Sequence, residues 1–330
     1  MDQFVSYAQN GEDVVLWRAL GHVRDGRYVD VGACEPEHLS ITKAFCDRGW
    51  RGVDIEPVQH YADLLRAARP NNEIVQAAIT DEPVTEIVLH EVEGTGLSTL
   101  DDKTARGHTS FDQRDVVVPA RTLDDVCSAS GLLEGELHFL KVDVEGAETA
   151  VLRSVSLDKW RPWVVVVEAT RPLSGVLSHD EWEPELTQAG YEFTLFDGLN
   201  RFYISPHHPE LREPLSYPAC VLDGFITAGA KKTAEEFGAV RAEIVHWRNL
   251  AVGGFVESTS LAQAEHQEAR ALRRQVERLT TNLEKTKDNL LLARTRNQNL
   301  TKKLAYVESR LEVRARRKVG RLLRGMRGRS

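Results

Sequence analysis

Strand-like and helix-like segments alternate along the first two hundred residues of the chain. GRYVDVGA predicts a strand that runs into a glycine turn, and LSITKAFCDRG predicts a helix that ends at Gly49. WRGVDIEP, LHFLKVDVEG and WVVVVEAT predict further strands, each followed by a segment with helical apolar spacing. NEIVQAAIT, VTEIVLHEV and DVVVPARTL are three more strand candidates. Such alternation is typical of a parallel sheet covered by helices, so we predict an α/β, doubly wound, Rossmann-like fold.

The composition changes after Ser205, which predicts four regions. PHHPELREPLSYP contains four prolines, which mark a boundary or a loop strapped onto the domain. We expect an α/β domain over residues 1–205 and a proline-rich connection with a helical extension over 206–256. A coiled coil is expected over 257–313 and a basic tail over 314–330.

A heptad repeat predicts the C-terminal α-helical coiled coil. Glycine and proline are absent from 257 to 313, and most core positions are apolar. The a positions are Val276, Leu283, Leu290, Asn297, Leu304 and Leu311, and the d positions are Leu272, Leu279, Thr286, Ala293, Leu300 and Val307. Asn at an a position fixes register and favours two strands. A lone amphipathic helix is the alternative, but we favour self-association and expect a homo-oligomer.

Charge is distributed unevenly between the body and the tail. The net charge is -8, whereas RARRKVGRLLRGMRGRS at the C-terminus carries eight basic and no acidic residues, which leaves -8 - 8 = -16 for the remainder. The tail is a candidate for contact with an anionic membrane surface or a phosphorylated glycan carrier, with a solvated charged segment as the alternative. The acidic body makes nucleic acid an unfavourable partner.

The chain is expected to be cytoplasmic, with the tail allowing a peripheral position at the inner membrane face. The N-terminus lacks the apolar core of a signal peptide, and no window approaches the length of a membrane span. Cys34, Cys46, Cys127 and Cys220 show no CxxC or Cys/His spacing, so neither a disulfide framework nor a zinc site is indicated.

Acidic residues follow the first two strands of the predicted sheet. Asp30 and Gly32 end the first strand, and Glu56 ends the second. Ligands of open α/β sheets bind beyond such strand ends, and a carboxylate can accept both hydroxyl protons of a ribose. Glu56 alone fits NAD and S-adenosylmethionine equally. The missing GxGxxG cradle and the acid at Asp30 favour S-adenosylmethionine, although Asp30 could cap the turn and Glu56 could be solvated.

HFLKVDVEGAE predicts a buried strand followed by three carboxylates. Asp143 comes where the strand emerges, while the acids at Glu145 and Glu148 suit the positive end of the following helix. Glu168 ends WVVVVEAT and should lie beside Asp143. Two adjacent carboxylates can hold a hydroxyl, raise one another's pKa so that one acts as a base, or share a divalent metal such as Mg²⁺. Lys141 points to the same side as Asp143, where it can pair with an acid or help to deprotonate a substrate.

Several of these segments together resemble a known family. In order and spacing, SYAQNGEDVVLWRAL, YVDVGACEP, SITKAFCDRGWRGVDIEP, GLSTL, ARTLDDV and LKVDVEGAE are similar to the FkbM family of S-adenosylmethionine-dependent methyltransferases, over residues 3–205. The resemblance implies a seven-stranded class I methyltransferase sheet and O-methylation of a hydroxyl. It also implies sugar or polyketide-type acceptors, among which a glycan of surface-polysaccharide synthesis is the leading expectation.

The resemblance assigns roles to individual positions. The implied cofactor residues are Asp30, Gly32, Ala33, Cys34, Glu56, Gln9 and Asn10, with Glu12 completing the N-terminal element that covers the cofactor. Cys34 stands where the family commonly has Asn. The post-strand signature falls on Asp143, Glu145 and Gly146. His38, after the cofactor loop, is a candidate substrate contact together with Glu145, whereas the remaining histidines, His108 among them, are expected to be structural or exposed.

The implied mechanism is in-line methyl transfer to an acceptor oxygen. Asp143 is the expected catalytic base or metal ligand, with Glu168 as its partner in either role and Lys141 in support. An alternative from another class is a catalytically silent methyltransferase-fold scaffold that organises a glycan-biosynthesis assembly through its coiled coil. A nicotinamide-dependent oxidoreductase is a third hypothesis.

Overall fold

The computed structural model describes residues 3–92, 94–107, 112–256 and 262–327. The first residues of the expected coiled coil, the last three of the expected basic tail and His108 lie outside the described residues. The chain forms two compact units, one ending at Ala228 and the other beginning at Gly229.

Twelve strands and ten α-helices form in the described part of the chain. The strands are β1 (Phe4–Ser6), β2 (Arg27–Val31), β3 (Arg51–Ile55), β4 (Glu73–Val75), β5 (Ala78–Ile79), β6 (Glu86–Val92), β7 (Gln113–Arg121), β8 (Phe139–Val142), β9 (Val164–Glu168), β10 (Glu192–Phe196), β11 (Asn200–Ile204) and β12 (Phe225–Thr227). The helices are α1 (Glu12–Leu20), α2 (Lys43–Cys46), α3 (Gln59–Ala68), α4 (Asp102–Gly107), α5 (Leu123–Ala129), α6 (Glu148–Arg153), α7 (Leu157–Trp160), α8 (Glu183–Gln188), α9 (Ala228–Val256) and α10 (Ala262–Arg327). Short 3₁₀ turns occur at His179–Glu181, Pro209–Leu211 and Val221–Asp223.

The main sheet has seven strands in the order β10-β11-β9-β8-β2-β3-β4. β9, β8, β2, β3 and β4 are parallel, while β11 is antiparallel to both of its neighbours. The sheet is therefore mixed, because the short turn between β10 and β11 can join only antiparallel strands. The chain continues from β2 to one side of the sheet and returns at β8 on the other, which places the topological switch point between β2 and β8.

The central strands are buried on both faces, as their continuous apolar runs predict. Every residue of β8 and β9 is buried. Alternate side chains enter two different apolar clusters: Val29 and Leu140 pack on one face, and Tyr28 and Phe139 on the other. This packing fixes the register in which Asp30 lies opposite Lys141 across β2 and β8.

A second sheet of three strands, in the order β5-β7-β6, differs from the sequence prediction. NEIVQAAIT divides into β4, at the edge of the main sheet, and β5, in the small sheet. β6 and β7 form an antiparallel pair instead of extending the doubly wound sheet. Their outer face includes the exposed Val88 and Val117, so these strands lack the burial on both faces of a parallel sheet.

The proline-rich segment packs against the α/β domain, so the first unit extends beyond the expected boundary at 205. β12 pairs in parallel with β1, and Leu211 and Leu215 are buried in the cluster that contains Leu16 of α1. Arg18 of α1 donates a hydrogen bond of 2.6 Å to the carbonyl oxygen of Pro214. It also forms a 3.0 Å ion pair with Asp223 and donates to the carbonyl oxygen of Tyr217. Prolines thus end regular structure here without ending the domain.

The second unit consists of α9 and α10. α10 contains 66 residues, which corresponds to about 99 Å at 1.5 Å per residue. Consecutive predicted core positions Leu300, Leu304 and Val307 are exposed on this helix. Within the described residues, no helix combines the length and the apolar character required to cross a membrane.

Candidate functional site

A cavity of about 550 Å³ opens at the carboxyl ends of β2, β3, β8 and β9. It therefore lies at the switch point of the main sheet, where open α/β folds bind ligands, and its size is typical of a small-molecule site. Nearly all of the predicted site residues line it: Gln9, Asp30, Gly32, Ala33, Cys34, His38, Glu56, Lys141, Asp143, Glu145 and Glu168. Asn10 is not among the lining residues.

The buried Lys141 connects the ends of β2 and β8. Its ammonium group lies 3.2 Å from Asp30 Oδ1 and 3.5 Å from Asp143 Oδ2, and it donates a 2.7 Å hydrogen bond to the carbonyl oxygen of Gly32. Burial by itself would lower the pKa of Lys141, but the carboxylates of Asp30 and Asp143 raise it above its ordinary value. Lys141 is thus held as a cation that pairs with acids, and this state is unfavourable for accepting a proton.

Asp30 is engaged inside the protein as well as lining the cavity. Its carboxylate accepts a 2.8 Å hydrogen bond from the hydroxyl of Thr42 in addition to its ion pair with Lys141. The side chain is almost fully buried. Asp30 therefore positions Lys141 and does not cap the turn. Any ligand that contacts Asp30 has to share its carboxylate with the ammonium group of Lys141.

The loop after β2 passes close to the loop after β8. Gly32 has φ +80°, and a Cβ atom there would lie 1.8 Å from the carbonyl oxygen of Asp143. Cys34 also has a positive φ, +49°, and its backbone N–H donates a 2.9 Å hydrogen bond to Glu56 Oε2. Glycine is therefore required at position 32, while the backbone of Cys34 links the cofactor loop to the acid at the end of β3.

Glu56 is buried and accepts two backbone hydrogen bonds. Val58 N–H donates to Oε1 at 2.8 Å, and Cys34 N–H donates to Oε2. Burial raises the pKa of Glu56 to about 7, although both hydrogen bonds favour the charged form. Each carboxylate oxygen retains a second lone pair, so the group can still accept hydroxyl protons from a ligand in the cavity.

Asp143, Glu145 and Glu168 form an acidic cluster at the ends of β8 and β9, with one oxygen of each lying within 4.8 Å of the others. Burial, followed by the charge of Asp143, raises the pKa of both Glu145 and Glu168. A protonated Glu168 donates a hydrogen bond to Asp143. The side chain of Asp143 is 37% exposed, so its carboxylate is open to a substrate in the cavity.

Glu148, the first residue of α6, has the structural role expected of it. Its Oε1 accepts hydrogen bonds from the backbone N–H groups of Val144 and Gly146, at 3.2 and 3.0 Å. These bonds satisfy two backbone donors of the loop that precedes the helix. Glu145 lies in the same loop and has a φ of +54°.

The N-terminal element reaches the cavity only through Gln9. The backbone N–H of Asn10 donates to Glu12 Oε2 at 2.8 Å, and Glu12 Oε1 accepts from Asn200 at 2.8 Å. Burial raises the pKa of Glu12 to about 7. Asn10 and Glu12 therefore hold this element against β11.

His38 reaches the cavity from an exposed loop after β2.

Two segments of the cavity wall were not predicted as site residues from the sequence. Residues 94–98 line it between β6 and α4, where the hydroxyl of Tyr61 donates to the carbonyl oxygen of Thr95 at 3.0 Å. Thr99 follows them, and its hydroxyl donates to the carbonyl oxygen of Glu145 at 2.7 Å. Thr170, Leu173 and Ser174, in the loop after β9, also line the cavity. The glycine-rich sequence EGTGLSTL could have indicated the first segment as a ligand-binding loop. The sequence of the second segment carries no comparable pattern.

Comparisons with known proteins identify the family of the domain that carries this cavity. Residues 30–193 match the model of the methyltransferase FkbM domain. No curated protein shows a significant sequence match to the chain.

Two solved structures of methyltransferases show similarity at low TM-scores. A TehB-like SAM-dependent methyltransferase from Corynebacterium glutamicum ATCC 13032 Kitasato has 10% identity and a TM-score of 0.32, with 59% of this chain and 87% of that chain covered. The B. subtilis M1A22 tRNA methyltransferase TrmK has 10% identity and a TM-score of 0.30, with 84% of this chain and 99% of that chain covered. TM-scores this low carry no weight beside the family match. Residues 30–193, which hold Asp30, Glu56, Asp143 and Glu168, therefore form a domain of the FkbM methyltransferase family.

Proposed function

We propose that the protein is an S-adenosylmethionine-dependent O-methyltransferase that acts on a hydroxyl of a sugar or glycan, with surface polysaccharide as the leading context. The family implies methyl transfer and S-adenosylmethionine. The observation that carries the proposal is the excess of acidic over basic groups in the cavity, which remains when Glu168 is protonated. Six carboxyl groups and one ammonium group are among its described lining residues: Asp30, Glu35, Glu56, Asp143, Glu145, Glu168 and Lys141. Such a wall favours a cationic ligand and disfavours the diphosphate of NAD.

Four residues are the proposed contacts of the cofactor. Glu56 is suited to the ribose hydroxyls, because its carboxylate retains free lone pairs beside the backbone bonds. Gly32 and Ala33 allow a close backbone approach, and Gln9 lies on the cavity wall. When bound, S-adenosylmethionine supplies an electrophilic sulfonium methyl group.

Asp143 is the proposed general base. Its side chain is 37% exposed, and it is oriented by Lys141 and by the hydrogen bond from Glu168. We propose that Asp143 accepts the proton of the acceptor hydroxyl as the oxygen attacks, a contribution of about 10²- to 10⁴-fold in rate. His38 and Glu145 line the same cavity and are the proposed acceptor contacts.

A divalent cation such as Mg²⁺ is an additional proposal for the same cluster. Asp143 and Glu168 would be its ligands, and the nearby oxygen of Glu145 would add a third. Carboxylate oxygens are suitable ligands for Mg²⁺, which also keeps several waters. Activity that survives exhaustive chelation would contradict the metal and leave Asp143 as a base.

A catalytically silent scaffold is the second candidate function. Exposed apolar residues along the heptad of α10, such as Leu300 and Leu304, support an assembly role through a coiled coil. We propose self-association for either candidate, because Asn297 at an a position is typical of two-stranded coiled coils.

For the basic tail we propose contact with an anionic membrane surface or a phosphorylated glycan carrier, which would hold a cytoplasmic protein at the inner membrane face. Eight basic residues in seventeen support this location, since each contributes about 1 kcal/mol near an anionic surface. Sedimentation of the full chain with anionic vesicles, compared with neutral vesicles, tests it. Equal binding to both would contradict it.

The decisive experiment is calorimetric titration with S-adenosylmethionine, followed by incubation with labelled cofactor and a panel of glycans. Micromolar cofactor binding with label transfer to a glycan supports the enzyme. Cofactor binding without transfer to any acceptor, including a surface-polysaccharide extract, supports the scaffold. NAD binding in place of S-adenosylmethionine would overturn both.

A further inference from the structure

Two leucines at the cavity wall are about half exposed or more. Leu39 is 49% exposed and Leu173 is 68% exposed, and both line the cavity. Polar neighbours, His38 and Ser174, stand beside them in sequence and line the same space. Single exposed leucines are common on protein surfaces, so exposure alone decides nothing. Their backbone conformation distinguishes these two.

Both leucines occupy a turn position that normally requires glycine. Leu39 has φ +56° and Leu173 has φ +52°. In the first turn Ser40 N–H donates to the carbonyl oxygen of Glu37 at 3.5 Å, and in the second Ser174 N–H donates to that of Arg171 at 3.0 Å. Each leucine is thus the third residue of its turn, where positive φ favours Gly or Asn and penalises a larger side chain. Strained backbone of this kind tends to cluster at ligand-binding sites.

The sheet order places the two leucines on either side of Asp143. Leu39 belongs to the loop after β2 and Leu173 to the loop after β9, and β8 lies between these strands. Glu56, at the end of β3, lies beyond β2. The loops of the two leucines therefore flank β8, the strand that carries the proposed base, whereas Glu56, the proposed ribose contact, lies one strand farther away. A group that contacts both leucines would thus lie beside the acceptor bound at Asp143.

We propose that Leu39 and Leu173 bind an alkyl chain attached to the acceptor sugar, so that the acceptor is an amphipathic glycoside and not a free sugar. Asp143 and Glu168, which line the same cavity, receive the hydroxyl. The two leucines contact the chain where it leaves the cavity. The identity of the sugar rests on the proposed function, whereas the alkyl contact does not.

The test is binding of a homologous series from methyl to n-octyl β-D-glucoside, below the micelle concentration, to the full chain saturated with S-adenosylhomocysteine. Full burial of a methylene strengthens binding by about fourfold, so we expect the octyl glycoside to bind at least about tenfold more tightly than the methyl glycoside. Leu39→Gly and Leu173→Gly should each reduce this dependence on chain length. Leu133→Gly is the matched control, because Leu133 is 60% exposed and is not among the lining residues.

Urea unfolding separates this role from a structural one. Because glycine suits positive φ, Leu39→Gly and Leu173→Gly should unfold at the same urea concentration as the wild type or a higher one. Unchanged stability with a weakened chain-length dependence supports the proposal. A wild type that binds all glycosides equally, or variants that keep the full dependence, would overturn it.

A third outcome would also overturn the proposal: variants that lose S-adenosylhomocysteine affinity and keep the chain-length dependence, since the leucines would then cover the cofactor. Failure of the wild type to bind S-adenosylhomocysteine contradicts the methyltransferase proposal alone. The glycoside series can then be repeated without it, and the chain-length dependence still decides the role of the leucines.

Discussion

A Cβ atom on Gly32 would lie 1.8 Å from the carbonyl oxygen of Asp143. The proposed cofactor loop and the loop of the proposed base are therefore in direct backbone contact, with no room for a side chain between them. This contact positions both loops on the same cavity, because any shift of one has to displace the other.

Gly32→Ala is expected to destabilise the domain and abolish cofactor binding. Its matched control is Gly49→Ala: Gly49 has a similar φ of +86°, but nothing lies within 4 Å of the added Cβ. The control should lose about 1 kcal/mol of unfolding free energy from backbone strain alone. Gly32→Ala should lose clearly more, measured by urea unfolding. Equal losses in the two variants would show that the close approach to Asp143 is unimportant.

Asp143→Asn should retain S-adenosylmethionine affinity and lose turnover by about 10² to 10⁴. The amide keeps the size of the side chain but cannot accept the hydroxyl proton. Calorimetry measures the affinity, and single-turnover methyl transfer measures the rate. Asp63→Asn, at an exposed position on α3, is the control and should change neither. Undiminished transfer by Asp143→Asn would exclude it as the base.

Glu168→Gln and Glu168→Ala should differ in their effect on turnover. Because burial and Asp143 keep Glu168 protonated, its carboxyl acts as a hydrogen-bond donor to Asp143. Glutamine keeps a donor at this place and alanine does not, so we expect the alanine variant to be slower by about tenfold or more, the value of one or two lost hydrogen bonds. The same rate in both variants would contradict the donor role. Calorimetry on each checks that cofactor affinity is kept.

Cofactor affinity should rise with pH between about 6 and 8, by up to about tenfold per pH unit below 7. Burial raises the pKa of Glu56 to about 7, and a cationic ligand lowers it again, so binding expels a proton. Calorimetry in buffers of different ionisation enthalpy measures this release, which Glu56→Gln should reduce. Without ligand, the stability of the protein has the opposite pH dependence. The unfolding free energy contributed by the raised pKa of Glu56 is complete below about pH 4.5 and is lost as the pH rises through 7.

Arg18→Ala should lower the unfolding free energy by about 2 to 4 kcal/mol, because Asp223 and two backbone carbonyls lose their shared donor. Both partners of the Arg18–Asp223 pair are largely buried. Arg153→Ala, which breaks an exposed pair with Glu185, should cost at most about 1 kcal/mol. Urea unfolding of the full chain measures both. Similar losses would indicate that residues 206–227 contribute little to the domain.

Leu300→Glu should abolish self-association, because it puts a charge at a d position of the proposed coiled coil. Leu291→Glu is the matched control: Leu291 is at least as exposed on the same helix but lies off the a and d positions. Sedimentation equilibrium should show a monomer for the first variant and the wild-type oligomer for the second. A monomeric wild type would contradict the coiled coil itself.

The sequence by itself determined the local features of this protein. Continuous apolar runs predicted the buried strands β2, β3, β8 and β9, and strand-end acids predicted the cavity residues, because carboxyl ends of parallel strands share one edge of a sheet. The heptad repeat predicted the C-terminal helix, because a 3.5-residue period of apolar residues is a local property of the sequence.

Only the tertiary structure decided how distant segments pair and which groups are removed from water. Hydrogen bonding between strands assigned β6 and β7 to a separate sheet, since their strand-like composition fits either sheet. Burial of Leu211 and Leu215 extended the domain past its prolines. The ion pairs of Lys141 and the proton held near Glu168 depend on charges brought together from three strands. Protonation and pairing are set by distance and burial in three dimensions, and residue order alone specifies neither.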